Sequence, residues 1–570
     1  MKANNLALLK TTDEPLSSTP LEEYPRPQLV RNSYICLNGE WEFAISSSDS
    51  IPENFDKKII VPYCIESYLS KINYCYLTST YYFYRREFSV PSSFLKDKLL
   101  LHFDSVDQEC SVFVNKQKVI ENKGGYIPFE VDIQQYINTD SNNEIIVIVR
   151  DTLDHKYPWG KQRVDRQGMW YTPVSGIWKT VWLESVSSDY IKDIKISTSL
   201  KEVTLKIDTE ASYKKITIHT ENNPIIRRTT DETITIKIPN PILWDVDNPH
   251  LYYFDIETEN DKVTSYFGLR TFTIQNKNNY PYFFLNNKPL FIHGLLDQGY
   301  YPDGIYTPHS YNEYERDILR MKELGFNTLR KHIKIEPLYF YYLCDKYGML
   351  VIQDFVNNGE YNFLRDTALP TIRVNVPEFL LLNKTRKADQ IFYEQMELTT
   401  SLLYNTTSLF MYTIYNEGWG QKNPDKAYLK LKELDSTRLI DATSGWFERK
   451  NTDFNSLHIY FRRIKLKENK KPIFISEFGG FAYKLKEHSF NPDNTYGYGL
   501  LSNQEDYQST IDDLYLNQVV PNISRGLMGT IYTQVSDVED ETNGLLTYDR
   551  KICKVDKERM LKIKDKLIIK

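Results

Sequence analysis

The chain has 570 residues, of which 41% are hydrophobic and 26% charged, and its formal net charge at pH 7 is −6. A chain of this length is too long for one hydrophobic core and is expected to form several domains. The small net charge argues against a nucleic-acid-binding protein, and no run reaches the ~20 apolar residues of a membrane-spanning helix.

The N-terminus and the cysteines bear on the cellular location. The first seventeen residues, MKANNLALLKTTDEPLS, contain an apolar stretch much shorter than that of a secretory signal. The six cysteines are Cys36, Cys64, Cys75, Cys110, Cys344 and Cys553. They do not have the paired spacing of metal ligands. These features favour a reducing, cytoplasmic location.

Short alternating segments dominate the first third of the chain. Examples are KLLLHFDSVD, CSVFVNKQKV, NEIIVIVRD and WKTVWLESV, which are apolar at every second position. Turn residues such as Gly39 and the pair Gly124-Gly125 separate the segments. Residues 1–188 are therefore predicted to form an all-β sandwich.

Strand signals continue through residues 189–276, in a smaller unit. The candidates are DIKISTSL, EVTLKIDTE, KKITIHTE, ETITIKIP and YYFDIETE, followed by SYFGLRTFTI. Their number and spacing predict a separate β-sandwich of immunoglobulin size.

From residue 277 to residue 570 amphipathic helices alternate with short apolar strands. NEYERDILRMKELG is an amphipathic helix, and the strand candidates are FFLNNKPLFIHG, NTLRKH, GMLVIQDF, SLFMYTIYNE, RLIDATS, FNSLHIY, PIFISEFG and GLMGTIYTQ. This alternation predicts a (β/α)8 TIM barrel, in which functional side chains lie where strands end.

Two of the predicted barrel strands end in a glutamate directly after an apolar run. SLFMYTIYNE ends in Asn416 and Glu417 before a Gly-Trp-Gly loop, and PIFISE ends in Glu477 before Phe-Gly-Gly. A retaining glycosidase needs two carboxylates about 5–5.5 Å apart, and strands four and seven of a barrel face each other across its mouth. The alternative is a pair of solvated carboxylates, but the repeated placement favours catalysis.

Several segments resemble glycoside hydrolase family 2, the family of β-galactosidases, β-glucuronidases and β-mannosidases. NTTSLFMYTIYNE (405–417) resembles the acid/base signature of the family, although Thr406 and Thr407 replace two of the usual residues. LNGEWEF, YYFYRREF, FDSVDQECSVFVNKQKVIENKGGYIPFEVDI and SGIWKTVWLE resemble its N-terminal domain. The resemblance covers nearly the whole chain and implies a jelly-roll β-sandwich, an immunoglobulin-like β-sandwich and a TIM barrel, in that order.

The resemblance also implies roles for individual residues. Glu417 would be the general acid/base and Glu477 the nucleophile of a double displacement. Asn416 would hydrogen-bond the sugar 2-hydroxyl, and Tyr460 would support the nucleophile, with a rim aromatic as the alternative. Arg330 matches the family arginine after the second barrel strand.

Other predicted pocket positions depart from the family pattern. Either His332 or Lys334 takes the place of a family histidine, and the segment Leu296-Asp297-Gln298-Gly299 lacks the usual sugar-binding histidine. A substrate-contacting aspartate of the first domain falls near Gly168 or Trp170.

Two carboxylates, Asp354 and Glu539, are additional candidates for hydroxyl binding. The alternative is that they support the site from behind or lie at its rim.

The sequence near the end of the predicted barrel indicates whether the substrate sugar is charged or neutral. β-Glucuronidases of the family carry an Asn-x-Lys pair that binds the sugar carboxylate, whereas this chain has Glu541-Thr542-Asn543-Gly544-Leu545 and no lysine there. Because a buried, unpaired carboxylate is costly, a neutral terminal sugar is expected. β-Galactoside is the first candidate, before β-glucoside, β-mannoside and arabinoside.

Three other functions are compatible with part of this pattern. A transglycosylase would use the same residues, a non-catalytic carbohydrate-binding protein would be expected to lose one of the two glutamates, and a metallohydrolase would need a ligand cluster such as HExxH. No cofactor or metal is expected, the predicted partner is a glycoside, and the sequence leaves homo-oligomerisation open.

Overall fold

The computed structural model describes residues 8–75, 80–221, 223–369, 385–446, 449–460, 462–467 and 469–570. Its N-terminal part is a β-sandwich of antiparallel strands. One sheet contains Tyr34–Cys36, Val181–Val186, Lys98–Phe103 and Phe129–Asp132, and the other Lys57–Val61, Gly39–Ser46, Tyr81–Ser89, Asn142–Arg150, Glu109–Val114 and Gln117–Lys123. A short pair joins Val106–Asp107 and Gly176–Ile177.

The alternation of apolar and polar residues in the sequence corresponds to an alternation of buried and more exposed side chains in this sandwich. Every second side chain of Glu109–Val114 is buried, and the facing core includes Phe43, Tyr84, Leu101 and Val147. Burial of these aliphatic and aromatic side chains between the two sheets provides the main stabilising term.

The second domain is a smaller sandwich. Its sheets contain Asp193–Thr198, Glu202–Asp208 and Thr233–Lys237 on one side, and Ile225–Thr229, Lys214–Ile218, Tyr252–Glu257 and Lys262–Phe267 on the other. The strand Ile225–Thr229 was not predicted, because its side chains are mostly exposed and do not alternate. Arg31 contacts Glu184 at 3.2 Å and Asp261 at 2.8 Å, which ties this sandwich to the first.

The C-terminal part is a barrel of eight parallel strands, counted within the described ranges. In chain order they are Ile292–Asp297, Thr328–Lys331, Leu350–Asp354, Leu409–Asn416, Leu439–Ser444, Asn455–Ile459, Ile473–Gly479 and Leu527–Thr533. A small antiparallel sheet of Phe272–Lys277, Tyr280–Leu285 and Lys288–Pro289 precedes the first strand. The predicted fold class is therefore confirmed.

Helices surround the barrel and are amphipathic where the sequence predicts it. In the described ranges the α-helices are Tyr311–Glu323, Leu338–Tyr347, Arg386–Leu403, Pro424–Leu434, Gln504–Asp512, Val520–Ile523 and Lys557–Lys564, with π-helical turns at Leu364–Ala368 and Asp513–Val519. Tyr311–Glu323 buries Tyr314, Ile318 and Met321 on one face. Within the described chain, no helix is long and apolar enough to cross a membrane.

The first domain reaches over the mouth of the barrel. Trp159 Nε1 donates a 3.1 Å hydrogen bond to the Gly359 carbonyl, and Trp170 packs edge-to-face on Tyr361 with ring centroids 4.8 Å apart. These contacts place residues 157–174 beside the loop that follows the third barrel strand. The strand ends of the barrel thus acquire a wall from another domain.

Candidate active site

Glu477 ends the seventh barrel strand and is held by two partners. Arg330 Nη1 donates to its Oε1 at 3.0 Å, and the Tyr460 hydroxyl donates to its Oε2. Burial alone would raise the pKa of Glu477, but nearby His458, Arg330 and His332 and the Tyr460 hydrogen bond outweigh it and lower the pKa well below its usual range. The carboxylate is therefore held ionised and oriented, as a nucleophile requires.

Glu417 follows the fourth barrel strand in a left-handed backbone conformation, with φ of 56°. That conformation is uncommon for a residue with a β-carbon, and neighbouring groups maintain it: Glu417 N–H donates to the Ser444 carbonyl at 2.9 Å, and Gln421 donates to the Glu417 carbonyl. The bend turns the Glu417 side chain toward Glu477.

His458 lies between the two glutamates and is fully buried. Its Nδ1 is 2.9 Å from Glu417 Oε1 and 3.6 Å from Glu477 Oε2. Gly445 makes room for the ring, because a β-carbon there would lie 2.3 Å from His458 Cγ. The contacting atoms of the three side chains all lie within 4.8 Å of one another.

Within the part of the chain that the structure describes, these three side chains are also close enough together to act as ligands of one metal ion. One nitrogen and two carboxylate oxygens would suit a zinc-like ion. However, Arg330 and Tyr460 already use both oxygens of Glu477, and a guanidinium beside a metal site would oppose binding of the cation.

Asn416 precedes Glu417 and lines the pocket. Arg330 Nη2 donates to its Oδ1 at 2.8 Å, which leaves the amide NH2 group for a ligand. The same arginine donates to both oxygens of Asp354 at 2.9 Å.

Asp354 lies behind the pocket wall. Both of its oxygens accept from Arg330, and its Oδ2 is also 2.7 Å from His332 Nδ1. Burial would raise the pKa of Asp354, but the Arg330 charge and the His332 contact lower it. Asp354 is buried and does not line the pocket, so its position is that of a group that orients Arg330 and His332.

His332 and Lys334 occupy different environments. His332 lines the pocket, and burial followed by the Lys161 charge lowers its pKa to about 4, so the ring is neutral. Lys334 instead donates to the Gly299 and Tyr306 carbonyls at 2.6 and 2.8 Å and pairs with Glu336. Only the histidine faces the position that a sugar would occupy.

The pocket is a cavity of about 470 Å³, within the usual range for small-molecule sites. Aromatic side chains from both domains form much of its wall, including Trp170 of the first domain. The lining residues are Lys161, Met169, Trp170, Leu296, Gln298, His332, Ile333, Tyr361, Phe363, Thr367, Ala368, Asn416, Glu417, Trp419, Trp446, His458, Tyr460, Arg462, Glu477, Tyr496, Tyr498, Thr533, Glu541 and Asn543.

Glu539 and Glu541 belong to the loop after the eighth strand and differ in position. Glu539 is outside the pocket lining and accepts from Arg166 at 3.1 Å and from Thr172 N–H at 2.9 Å, which ties the first domain to the barrel. Glu541 lines the pocket and accepts from Tyr171 at 2.6 Å. Burial raises the pKa of Glu541, while the Lys161 charge lowers it.

Sequence reasoning did not identify His458 or Lys161. His458 lies on the strand Asn455–Ile459, two positions before Tyr460, which follows the strand directly. Residues two apart along extended chain point to the same face, so the strand period offered a usable signal. Lys161 offered none, because only the packing of the first domain on the barrel brings it to the pocket.

Family comparisons agree with this geometry. Residues 34–186 match the sugar binding domain of glycosyl hydrolases family 2, residues 179–270 match a further family 2 domain, and residues 276–558 match the family 2 TIM barrel domain. Together the three matches cover most of the chain.

The curated relatives include proteins named for two different activities. A β-galactosidase of Thermoanaerobacter pseudethanolicus is 30% identical over 48% of this chain and 39% of its own length. A putative β-glucuronidase of Formosa agariphila is 25% identical over 72% of this chain and 51% of its own length. The chain thus spans about half or less of the length of these relatives.

A solved structure has the same fold over most of the chain. The β-glucuronidase of an uncultured Clostridium species superposes with a TM-score of 0.74 and 18% identity, over 94% of this chain and 97% of that one. With the three consecutive domain matches, the arrangement of sandwich, sandwich and barrel identifies the chain as a member of family 2 of the glycosyl hydrolases.

Proposed function

We propose that this chain is a retaining exo-β-glycosidase that removes a terminal neutral sugar. The observation that carries the proposal is the spacing of the two carboxylates, whose contacting oxygens lie within 4.8 Å of each other. Retaining enzymes place the pair about 5–5.5 Å apart, whereas inverting enzymes need about 6.5–9.5 Å to admit a water molecule.

The environments of the two glutamates support different roles. Glu477, ionised and oriented by Arg330 and Tyr460, attacks the anomeric carbon. Glu417, 18% exposed and beside His458, protonates the leaving oxygen and then removes a proton from water. Asn416 donates its amide hydrogen to the sugar 2-hydroxyl.

The wall contributed by the first domain supports cleavage at a chain end. Trp170 and Met169 of that domain close one side of the cavity, and Tyr361 and Trp419 of the barrel pack around Trp170. Aromatic faces suit the apolar C–H face of one pyranose, and a walled cavity suits a terminal residue better than the interior of a long chain.

The charges around the cavity support a neutral sugar. Glu417, Glu477 and Glu541 all line it, so a sugar carboxylate would lie among three other carboxyl groups. Lys331 and Lys334 do not relieve this, because both pair with Glu336. β-Galactoside is the first candidate, in line with the name of the Thermoanaerobacter relative.

A β-glucuronide is the second candidate, and Lys161 is the observation in its favour. This lysine lines the cavity, and among the described side chains no carboxylate lies within ion-pair distance of its ammonium group. Relatives named β-glucuronidase, such as that of Formosa agariphila, are consistent with this alternative.

A panel of 4-nitrophenyl β-glycosides tests both candidates. We expect turnover of one neutral glycoside, with the first-formed sugar product in the β configuration by proton NMR. An α product would contradict retention, and no turnover of any glycoside would contradict the proposed activity. Transfer of the sugar to an added acceptor in preference to water would identify a transglycosylase.

A further inference from the structure

A buried chain of hydrogen bonds leads away from Glu417 through His458. His458 Nε2 lies 3.1 Å from the Ser444 hydroxyl, which donates to the Ser476 hydroxyl at 2.8 Å. Ser476 lies 2.6 Å from the Ser456 hydroxyl. Ser456 in turn bonds the carboxylate of Asp441, which is buried in the fifth barrel strand.

The direction of these bonds determines where the protons of His458 lie. A serine hydroxyl has one hydrogen, and Ser444 gives its hydrogen to Ser476. Ser444 must therefore accept from His458, so the Nε2 atom carries a hydrogen. The remaining contact, 2.9 Å between Nδ1 and Glu417 Oε1, needs one more proton, because a bare nitrogen and a carboxylate oxygen would repel each other.

We propose that Glu417 and His458 share a single proton and that His458 is a positioning residue, its tautomer fixed by the Ser444, Ser476, Ser456 and Asp441 chain. The pair exists as imidazolium with carboxylate or as neutral imidazole with carboxylic acid. This inference deepens the proposed function, on which its kinetic consequences rest.

The shared proton accounts for both steps of a double displacement. When the bond from the anomeric carbon to the leaving oxygen breaks and the bond to Glu477 forms, the pair gives its proton to the leaving oxygen. When water attacks and the bond to Glu477 breaks, the pair takes one proton from water. Each cycle returns the pair to one proton, and Nε2 keeps its hydrogen throughout.

The groups around His458 act on this proton from several strands. They are Glu417, Glu477 and Tyr460 beside the ring and Asp441 at the far end of the serine chain, while Arg330 binds the other oxygen of Glu477. The nearest oxygens of Glu417 and Glu477 lie 2.9 and 3.6 Å from Nδ1. The hydrogen-bond chain to Asp441 opposes loss of the Nε2 hydrogen. If that hydrogen were lost, Ser444 would have to turn its own hydrogen to Nε2, and two neighbouring serine hydroxyl oxygens of the chain would then face each other with no hydrogen between them.

Substitution of Ser444 tests the tautomer. In Ser444→Ala the Nε2 hydrogen has no acceptor, so the ring switches to the Nδ1–H tautomer and Glu417 becomes a carboxylate more readily. We expect the basic limb of the kcat/KM profile on a phenyl glycoside to move down by at least about 0.5 pH unit, because that limb reports loss of the acid proton. Ser444→Thr keeps the hydroxyl and should restore the wild-type limb.

Substitution of His458 tests its effect on acid catalysis. His458→Asn keeps a donor near Glu417 but cannot share a proton. Its kcat/KM should fall roughly a hundredfold on a phenyl glycoside and less than about threefold on a 2,4-dinitrophenyl glycoside, which needs little protonation. His488→Asn is the matched control, since His488 pairs with Asp549 at 2.7 Å outside the pocket; it should change neither value.

Nitrogen-15 NMR of selectively labelled histidine gives a readout that does not need turnover. In the wild type, Nε2 of His458, assigned by loss of its signal in His458→Asn, should stay protonated from pH 5 to pH 8. A bare Nε2, an unmoved basic limb in Ser444→Ala, or equal losses on both leaving groups in His458→Asn would overturn the proposal. If no glycoside is turned over, the proposed function fails, and the NMR result still decides the tautomer.

Discussion

Arg330 Nη2 donates a 2.8 Å hydrogen bond to Asn416 Oδ1. Because a guanidinium has no acceptor, this bond identifies the oxygen of the amide and directs the NH2 group of Asn416 toward the pocket. Arg330 also binds Glu477 and Asp354, so one rigid fork orients three groups at once. A sugar 2-hydroxyl would therefore meet a donor whose direction is fixed before it arrives.

Arg330→Lys should reduce kcat at least roughly a hundredfold, because the single ammonium of lysine cannot reproduce a fork that holds three partners. The steady-state kinetics of a neutral 4-nitrophenyl glycoside measure the effect, and circular dichroism checks that the barrel is folded. Arg85→Lys is a matched control at the surface, where Arg85 pairs with Glu42. A folded Arg330→Lys enzyme with near-normal kcat would contradict the proposed role.

Glu477 should form the covalent intermediate. An activated 2-deoxy-2-fluoro glycoside should label this residue in the wild type, and Glu477→Gln should abolish turnover, because an amide cannot attack the anomeric carbon. Peptide mapping by mass spectrometry identifies the labelled side chain. Glu541→Gln serves as the comparison in the same pocket and should still be labelled at Glu477; a label on any other carboxylate would refute the assignment.

The effect of Glu417→Ala on the reaction rate should depend on the leaving group of the substrate. Substrates with very good leaving groups need little protonation, so their glycosylation rate should be nearly retained while poor leaving groups lose roughly 10²–10⁴-fold. Added azide should restore turnover by releasing a β-glycosyl azide, which thin-layer chromatography and NMR detect. Equal losses on good and poor leaving groups would show that Glu417 is not the acid.

The fold could be predicted from the sequence because each strand and helix is indicated by a pattern within a short segment. Seven of the eight predicted barrel strands coincide with strands of the barrel, and Leu409–Asn416 is buried along its whole length. The prediction was wrong for FFLNNKPLFIHG, most of which forms the hairpin of Tyr280–Leu285 and Lys288–Pro289, with only its last residues in the barrel strand Ile292–Asp297. The strand Ile225–Thr229 was missed because none of its five side chains is buried and its three central ones are all exposed, so burial does not alternate along it.

The site was only partly accessible. Glu417 and Glu477 stand at strand ends, where the barrel rule directs attention. Lys161 and Asp441 could not be found in this way, because their importance depends on distances between segments far apart in the sequence. Asp354 illustrates a related limit: its strand-end position is visible, but the bonds that turn it toward Arg330 and His332 are not.

The acid stability of the chain should depend on Glu184, which is buried in the first domain and pairs with Arg31, the residue that also binds Asp261 of the second domain. Burial would raise the pKa of Glu184, but the Arg26 charge, the His102 contact and the Arg31 charge hold it well below its usual 4.5. A carboxyl with a depressed folded-state pKa stabilises the protein above its unfolded value, and this stabilisation is lost as the pH falls.

We therefore expect the denaturation temperature of the wild type to exceed that of Glu184→Gln at pH 7, and the difference to shrink below about pH 4.5. Differential scanning calorimetry at several pH values measures this. Glu121→Gln removes a fully exposed partner of Lys118 and should leave the transition unchanged. A difference that is constant with pH would mean that Glu184 is not ionised in the folded protein.

The choice between a neutral sugar and a uronic acid depends on the charges of the cavity. Three carboxyl groups line it, against the lysine and arginine side chains of Lys161 and Arg462, and the charge of Lys161 acts partly on Glu541. Lys331, which pairs with Asp297 and Glu336 at 2.7 and 2.8 Å, is not free to bind a substrate. A uronate would thus bring a further carboxylate into a cavity where carboxyl groups outnumber the lysine and arginine side chains, at a cost of several kcal/mol unless paired.

4-Nitrophenyl β-glucuronide should accordingly be turned over with a kcat/KM at least roughly a hundredfold below that of the best neutral glycoside, since about 2.7 kcal/mol of lost transition-state binding gives that ratio. Lys161→Met should lower the residual glucuronide activity further. Lys156→Met is the control, because Lys156 pairs with Asp154 at 3.0 Å outside the cavity. Comparable kcat/KM on the glucuronide, lost in Lys161→Met and kept in Lys156→Met, would show that Lys161 binds the sugar carboxylate. That result would replace the neutral sugar by a uronic acid while leaving the roles of Glu417 and Glu477 unchanged.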